Sequence, residues 1–185
     1  LVFHDDAELF RRIAAHGVVS ADAARVALAP LWRRFHLGEI AGPALRAAVS
    51  DVAGRALRES AFLELWNSHF RVHDAVLPLV EGLIGRVKLL LLSNTEAFHI
   101  EHLRPRLPIL ERFDSLLLSH ELGLAKPDPA IFHEALRRAG TRPEATAYFD
   151  DVAPYVEAAC ALGIEGRVFS DAPAFERDLR GLGLL

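Results

Sequence analysis

Five polar side chains in three short stretches could do chemistry here: Ser93 with Asn94, Lys126, and the doublet Asp150–Asp151. A hydroxyl, an amide and an ammonium are small donors that suit the oxygens of a phosphoryl group. Carboxylates suit Mg²⁺, which takes one or two of them together with phosphate oxygens and water. Two adjacent Asp residues closing a buried segment are costly unless something positive compensates them. Side chains alternate along a strand, so one of the two carboxylates should face a common crevice squarely. The set is a phosphoryl-transfer site that lacks only its nucleophile.

Each stretch closes an element that would position it. Ser93 and Asn94 follow four consecutive leucines, 89–92, in VKLLLLSNTE. A short apolar run without alternation reads as a parallel strand buried on both faces. Ligands of such sheets bind just beyond the carboxyl ends of the strands. Lys126 lies in the polar loop HELGLAKPDP, after a strand at 115–118 and before a helix with Asp128 as N-cap and Pro129 at its first position. The doublet ends a third strand, 145–149. Parallel strands of one sheet end on one edge, so all three groups can share one crevice. Composition also singles out Lys126: of 21 basic residues, 19 are Arg, and Lys stands only at 88 and 126. A lysine is a compact point charge where arginine is a broad planar fork.

Residues 7–75 read as almost wholly helical. Leu9, Phe10, Ile13 and Ala14 form a stripe ended by Gly17, Ser20 is the N-cap of a helix over 23–35, and two more helices cover 43–57 and 61–70. Beyond Pro78 helix and strand alternate: helix 79–84, strand 87–92, helix 97–103, strand 115–118, helix 129–139, strand 145–149, helix 154–162 and strand 167–169. That alternation predicts an α/β fold with a doubly wound parallel sheet. The expected division is a helical segment over 1–76 and a Rossmann-like core over 77–185.

The remaining composition narrows the partners. With 51% hydrophobic and 25% charged residues the chain reads as a soluble globular protein. A net charge of −4 offers no basic footprint for nucleic acid or an anionic membrane. No apolar stretch approaches the ~18 residues of a membrane span. The single Cys160 cannot form an internal disulfide, which fits a reducing cytoplasm. There is no methionine, so the expectation is that Leu1 is not a translation start.

LLLLSNTE, GLAKPDPAIF, and AYFDD followed by VEAA resemble the second, third and fourth motifs of the haloacid dehalogenase superfamily. The branch is the one with a small helical cap between the first and second motifs. Within it the sequence is similar to sugar-phosphate phosphatases of the glucose-1-phosphate phosphatase type, and LGEIAGPALRAAV in the cap resembles the same group. The resemblance implies a Mg²⁺-dependent phosphatase of a small, sugar-like phosphomonoester. Ser93 and Asn94 would hold the phosphate, Lys126 would neutralise it and steady the nucleophile, and Asp151 would ligate Mg²⁺ with Asp150 in support. In this family an Asp attacks phosphorus and the aspartyl-phosphate is then hydrolysed.

Two positions depart from the pattern. The first motif, a strand ending in the nucleophilic Asp, is absent, and LVFHDD reads as the segment just after it. A second alignment places His4 at the nucleophile position and Asp6 at that of the acid/base. On either alignment residues 1–185 carry no recognisable nucleophilic Asp, and the nucleophile is expected upstream of Leu1, on a central strand. Losing such a strand would remove burial comparable to the ~5–15 kcal/mol net stability of a domain. The second departure is Tyr155, where the fourth motif has Asn or Asp. Two other readings therefore stand beside the phosphatase: a 2-haloacid dehalogenase, against which the acidic doublet argues, and a catalytically silent relative that binds a phosphorylated ligand or a protein.

Other residues invite both plain and functional readings. His69 and His73 have the i, i+4 spacing of metal pairs but no intervening Glu of the zinc pattern. His99 and His102 could line a pocket mouth. Cys160 reads as a core thiol, and Trp32 and Trp66 as packing between helices.

Overall fold

The structure, a computed structural model, describes residues 1–185 apart from His16, Val18 and the side chain of Phe3. In chain order it comprises β1 (Val2–His4), α1 (Asp6–Ala15), α2 (Ala21–His36), α3 (Gly42–Val52), α4 (Glu59–Asn67), β2 (Phe70–Val72) and α5 (Leu77–Glu81). Next come β3 (Leu90–Ser93), α6 (Ala97–Leu103), β4 (Ser115–Leu118), α7 (Ser119–Leu122) and α8 (Pro129–Ala139). The chain closes with β5 (Ala147–Asp150), α9 (Ala153–Cys160), β6 (Glu165–Val168) and α10 (Ala172–Gly181). It divides into two compact units: Leu1–His73 with Thr95–Leu107 and Ser119–Gly123, and Asp74–Asn94 with Pro108–Leu118 and Leu124–Leu185. Among the described residues no helix is long and apolar enough to cross a membrane.

The first unit is built on helical periodicity. Helix α1 turns Leu9, Phe10 and Ile13 inward, and α2 turns Ala24, Leu28 and Phe35 the same way, spacings that keep one face apolar. Ser20 caps α2, its Oγ accepting from Ala23 N at 3.2 Å. Trp66 and Phe62 from α4 fill the centre, and Trp32 packs on Trp66 with ring centroids 5.0 Å apart. At Gly42, where α3 begins, there is no room for a side chain: a Cβ there would lie 2.1 Å from Cζ of Phe98. The antiparallel pair β1–β2, with Val2 opposite Val72 and His4 opposite Phe70, was not expected. Strands of three residues have too little length for a period, and their pairing is non-local.

The second unit carries the parallel strands. β3 pairs with β4 and β5 with β6, both parallel. Helix α8 begins as expected, with Asp128 Oδ1 accepting from Ala130 N at 2.9 Å and Pro129 in the first turn. It ends at Gly140, whose φ of 62° is the left-handed region that a C-terminal glycine takes easily. Lys88 reaches that terminus, donating from Nζ to Ala139 O at 2.7 Å. Leu117, Ile131, Phe132, Ala159 and Leu179 are fully buried. Two helices went unread in the sequence, α7 inside the polar loop and α10, which Asp171 caps through Ala174 N at 2.7 Å.

Among the described residues β3–β4 and β5–β6 are separate two-stranded sheets, with no hydrogen-bonded join between them. The expectation that the leucine run is buried on both faces is corrected accordingly: all four residues of β3 are only half-buried. Among the described residues the strand has a hydrogen-bonded partner, β4, along one edge only.

The contact at Gly42 is testable. Gly42→Ala should lower stability by about 1–3 kcal/mol through overpacking against Phe98, read as the midpoint of urea unfolding. Adding Phe98→Leu should recover most of that loss. An unchanged midpoint in Gly42→Ala would show that the close approach does not exist.

Candidate active site

Lys126 is the centre of the polar cluster in the second unit. Its Nζ donates to Asp150 Oδ2 at 2.5 Å and to Leu92 O at 3.2 Å. It thereby joins the C-terminal end of β3 to that of β5. Both side chains of the ion pair are 8% exposed. A carboxylate so buried needs further donors, and it has them: Tyr148 OH reaches Oδ2 at 2.5 Å, and Val152 N reaches Oδ1 at 2.9 Å. Burial, then the charge of Asp150 and the hydrogen bond to it, push the Tyr148 hydroxyl far above the ordinary tyrosine pKa, so it stays a donor.

Asn94 holds the other end of the lysine. Its Oδ1 accepts from Lys126 N at 2.8 Å, and its Nδ2 donates to Lys126 O at 2.9 Å. The amide clamps both backbone groups of one residue across the loop. Nδ2 also lies 3.3 Å from Tyr155 OH, and the Tyr155 ring centroid is 5.0 Å from Lys126 Nζ. Three strand-end stretches thus meet through Asn94, Lys126 and Asp150. Ser93 closes β3 beside Asn94, and Asp151 follows Asp150 with an exposed side chain. The alternation expected of the doublet is present: Asp150 turns inward and Asp151 does not.

Sequence reasoning did not foresee two of these partners. Tyr148 was legible in principle, since it stands two residues before Asp150 on the same strand and so on the same face. Tyr155 was noticed as a departure, but its contacts depend on how α9 sets off from the doublet.

The histidines fall elsewhere. In the first unit Glu96 is buried at 1% exposure, with Trp66 Nε1 donating to its Oε1 at 2.6 Å and His99 Nδ1 also at 2.6 Å. His36 Nε2 lies 3.1 Å from Oε2. His99 is therefore a buried partner of Glu96 and not a residue of a pocket mouth, because the α6 helix turns it inward toward Trp66. His69 is buried too, with Nε2 3.8 Å from Asp6 Oδ1. Among the described residues no group of three His, Cys, Asp or Glu side chains is placed to hold a metal. His4 pairs with Asp6 at 3.3 Å on the exposed side of β1. Cys160 is exposed, with Sγ 3.7 Å from Gly166 O, and is not a core thiol. It sits in the last turn of α9, where the buried stripe has moved to Val156 and Ala159.

Helices alternating with parallel strands, with polar groups gathered where the strands end, define a Rossmann-like α/β enzyme. The chain belongs to the haloacid dehalogenase-like hydrolases, whose family model matches residues 6–163. It is similar to a D-ribitol-5-phosphate phosphatase of Bacteroides thetaiotaomicron, with 27% identity over 142 residues, 73% of this chain and 69% of that one. Among solved structures it resembles a haloacid dehalogenase-like hydrolase from Porphyromonas gingivalis, with a TM-score of 0.81 and 25% identity over 97% of this chain and 93% of that one. A haloacid dehalogenase family enzyme from B. thetaiotaomicron, crystallised with magnesium and inorganic phosphate, shares the fold at a TM-score of 0.81 and 23% identity, over 92% of this chain and 88% of that one.

Two predictions arise from these clusters. Replacing Lys126 by Met leaves a buried carboxylate without its cation and should cost about 3–5 kcal/mol of stability. Denaturant titration measures it, and a loss under 1 kcal/mol would mean the pair is solvated. The second concerns acid. Burial, then the charge of His99, holds the His69 pKa down at about 4 from its ordinary 6.5, so protons favour the unfolded chain. Stability should decline as pH falls from 6.5 to 4. Burial alone would raise Glu96, but attraction to His99 and His36 prevails and holds it at about 2, against an ordinary 4.5. Its contribution is present above 4.5 and lost as pH falls toward 2. His69→Phe should flatten the upper window and leave the lower one, as read from thermal midpoints across pH. An equal slope in wild type and variant would assign the decline to other groups.

Proposed function

We propose that the protein is a Mg²⁺-dependent phosphatase of a small phosphorylated substrate, a sugar or polyol phosphate. The observation that carries the reading is the Lys126 bridge, which places one ammonium against the ends of both parallel strand pairs. Ligands of parallel α/β folds bind at that edge. The named activity of the D-ribitol-5-phosphate phosphatase supports a phosphorylated polyol or sugar as the substrate class. The likeness to glucose-1-phosphate phosphatases is carried only as far as that class.

The residues present fit a magnesium ion. Both oxygens of Asp150 already have donors, and the adjoining Asp151 carboxylate is exposed. A single carboxylate with a second acidic group in support, completed by substrate oxygens and water, is how magnesium is usually bound. Asp151 would hold the ion and Asp150 would support it. When bound, the ion would neutralise phosphate charge and orient the ester for in-line attack. Lys126 would meet the phosphoryl oxygens with its remaining N–H, since two of its three donors are spent on Leu92 O and Asp150 among the described residues. Ser93 and the backbone after it would supply neutral donors, while Asn94 fixes Lys126.

The nucleophile of this reading is an Asp upstream of Leu1, on a strand seated between β3 and β5. The two strand pairs without a hydrogen-bonded join support that placement, as does the half-buried leucine strand. The helical segment 1–76 would then carry the choice of substrate, and the segment 77–185 the chemistry.

Turnover of p-nitrophenyl phosphate by the full-length protein tests the reading. Activity should need Mg²⁺, vanish with EDTA, and fall by at least about 100-fold in Asp151→Asn and in Lys126→Ala. Metal-independent release of halide from a 2-haloacid, without phosphatase activity, would replace this reading by dehalogenation. Phosphate binding without turnover would leave a binding protein.

A further inference from the structure

We propose that Tyr155 is the positioning residue for Lys126, holding its ammonium at the strand-end site through the aromatic ring. The inference rests on the phosphatase reading and adds a residue to it. Lysine has a flexible four-carbon stem, and its head group goes where its contacts send it. Here the ammonium has three: Leu92 O, Asp150 Oδ2, and the face of Tyr155 with its centroid 5.0 Å away. Tyr155 also touches the residue that fixes the lysine backbone, its hydroxyl lying 3.3 Å from Asn94 Nδ2. One side chain therefore braces both ends of Lys126.

The choice of tyrosine has a charge argument behind it. A carboxylate at 155 would compete with Asp150 for the ammonium and add negative charge beside the acidic doublet. An aliphatic side chain would supply bulk but no attraction. An aromatic ring attracts a cation through its quadrupole and leaves the formal charge unaltered. The position suits the task, because α9 begins at Ala153 with Pro154 in its first turn, so Tyr155 projects from the helix start next to the doublet.

Within residues 1–185 lysine stands only at 88 and 126, so ¹³C-lysine labelling of the full-length protein gives a sparse set of side-chain signals. Lys126→Arg identifies the Lys126 signals by their loss. The Lys126 ε-methylene protons should show an upfield ring-current shift that Tyr155→Phe retains and Tyr155→Leu abolishes. Inorganic phosphate, titrated calorimetrically in the presence of Mg²⁺, should bind the Leu variant about 3- to 20-fold more weakly. The Phe variant should stay within about 3-fold of the unaltered protein. An upfield shift that persists in Tyr155→Leu overturns the proposal, and so does a lost shift with undiminished phosphate affinity. Weakening that is equal in Phe and Leu also overturns it, because the hydroxyl and not the ring would then be responsible. If the unaltered protein shows the shift but neither binds phosphate nor turns over an ester, the phosphatase reading fails. That result is visible before any variant is made.

Discussion

The bond from Lys126 to Asp150 is the constraint on which the second unit depends. It links strand pairs that, among the described residues, no backbone hydrogen bond joins, and both of its partners are nearly removed from water. Such a pair is a weak source of net stability, because desolvating each ion costs several kcal/mol before the attraction returns any of it. Its value lies in placement. The carboxylate is oriented by Tyr148, Val152 N and Lys126, which reach both of its oxygens, and the ammonium is aimed by Leu92 O and the Tyr155 ring. A polar network satisfied at every member rigidifies its surroundings, and one left incomplete destabilises them.

Asn94 belongs to the same network. Its amide spans Lys126 N and Lys126 O, the geometry by which a primary amide imitates a neighbouring peptide group. Thr95, next in the chain, is anchored as well: Ser119 Oγ donates to its carbonyl at 3.0 Å and accepts from its N–H at 2.9 Å. The turn after β3 is thereby fixed by side chains from distant positions in the sequence.

Much of this was legible before the structure because it is local. The caps at Ser20 and Asp128, the strand over 115–118 and the helix over 129–139 follow from neighbours in sequence. The meeting of the three polar stretches follows from a topological rule, that parallel strands share an exit edge. The features that escaped were non-local or depended on a side chain's direction. The β1–β2 pair joins residues almost seventy positions apart with only three residues a side, too few for a pattern. His99 reads in the sequence as a residue of a pocket mouth, yet α6 turns it inward onto Glu96 beside Trp66, and a buried carboxylate with an imidazole partner leaves no signature in composition. Cys160 went the other way, exposed next to the buried Ala159, because one position along a helix turns a side chain by about 100°.

The half-buried leucines of β3 bring these points together. Residues that would be fully buried in the middle of a doubly wound sheet retain exposure on all four positions, although their pairing with β4 is complete in register. An apolar strand with one open edge invites pairing with another chain, and natural proteins usually blunt it with charge, proline or a bulge. Residues 89–92 carry none of these. The edge has instead a lysine bound to its last leucine carbonyl and, on the other strand pair, an aspartate holding that lysine. The charge that usually blunts such an edge is supplied here from outside the strand, by Lys126 on the Leu92 carbonyl, and the same contact holds the ammonium where the strands end.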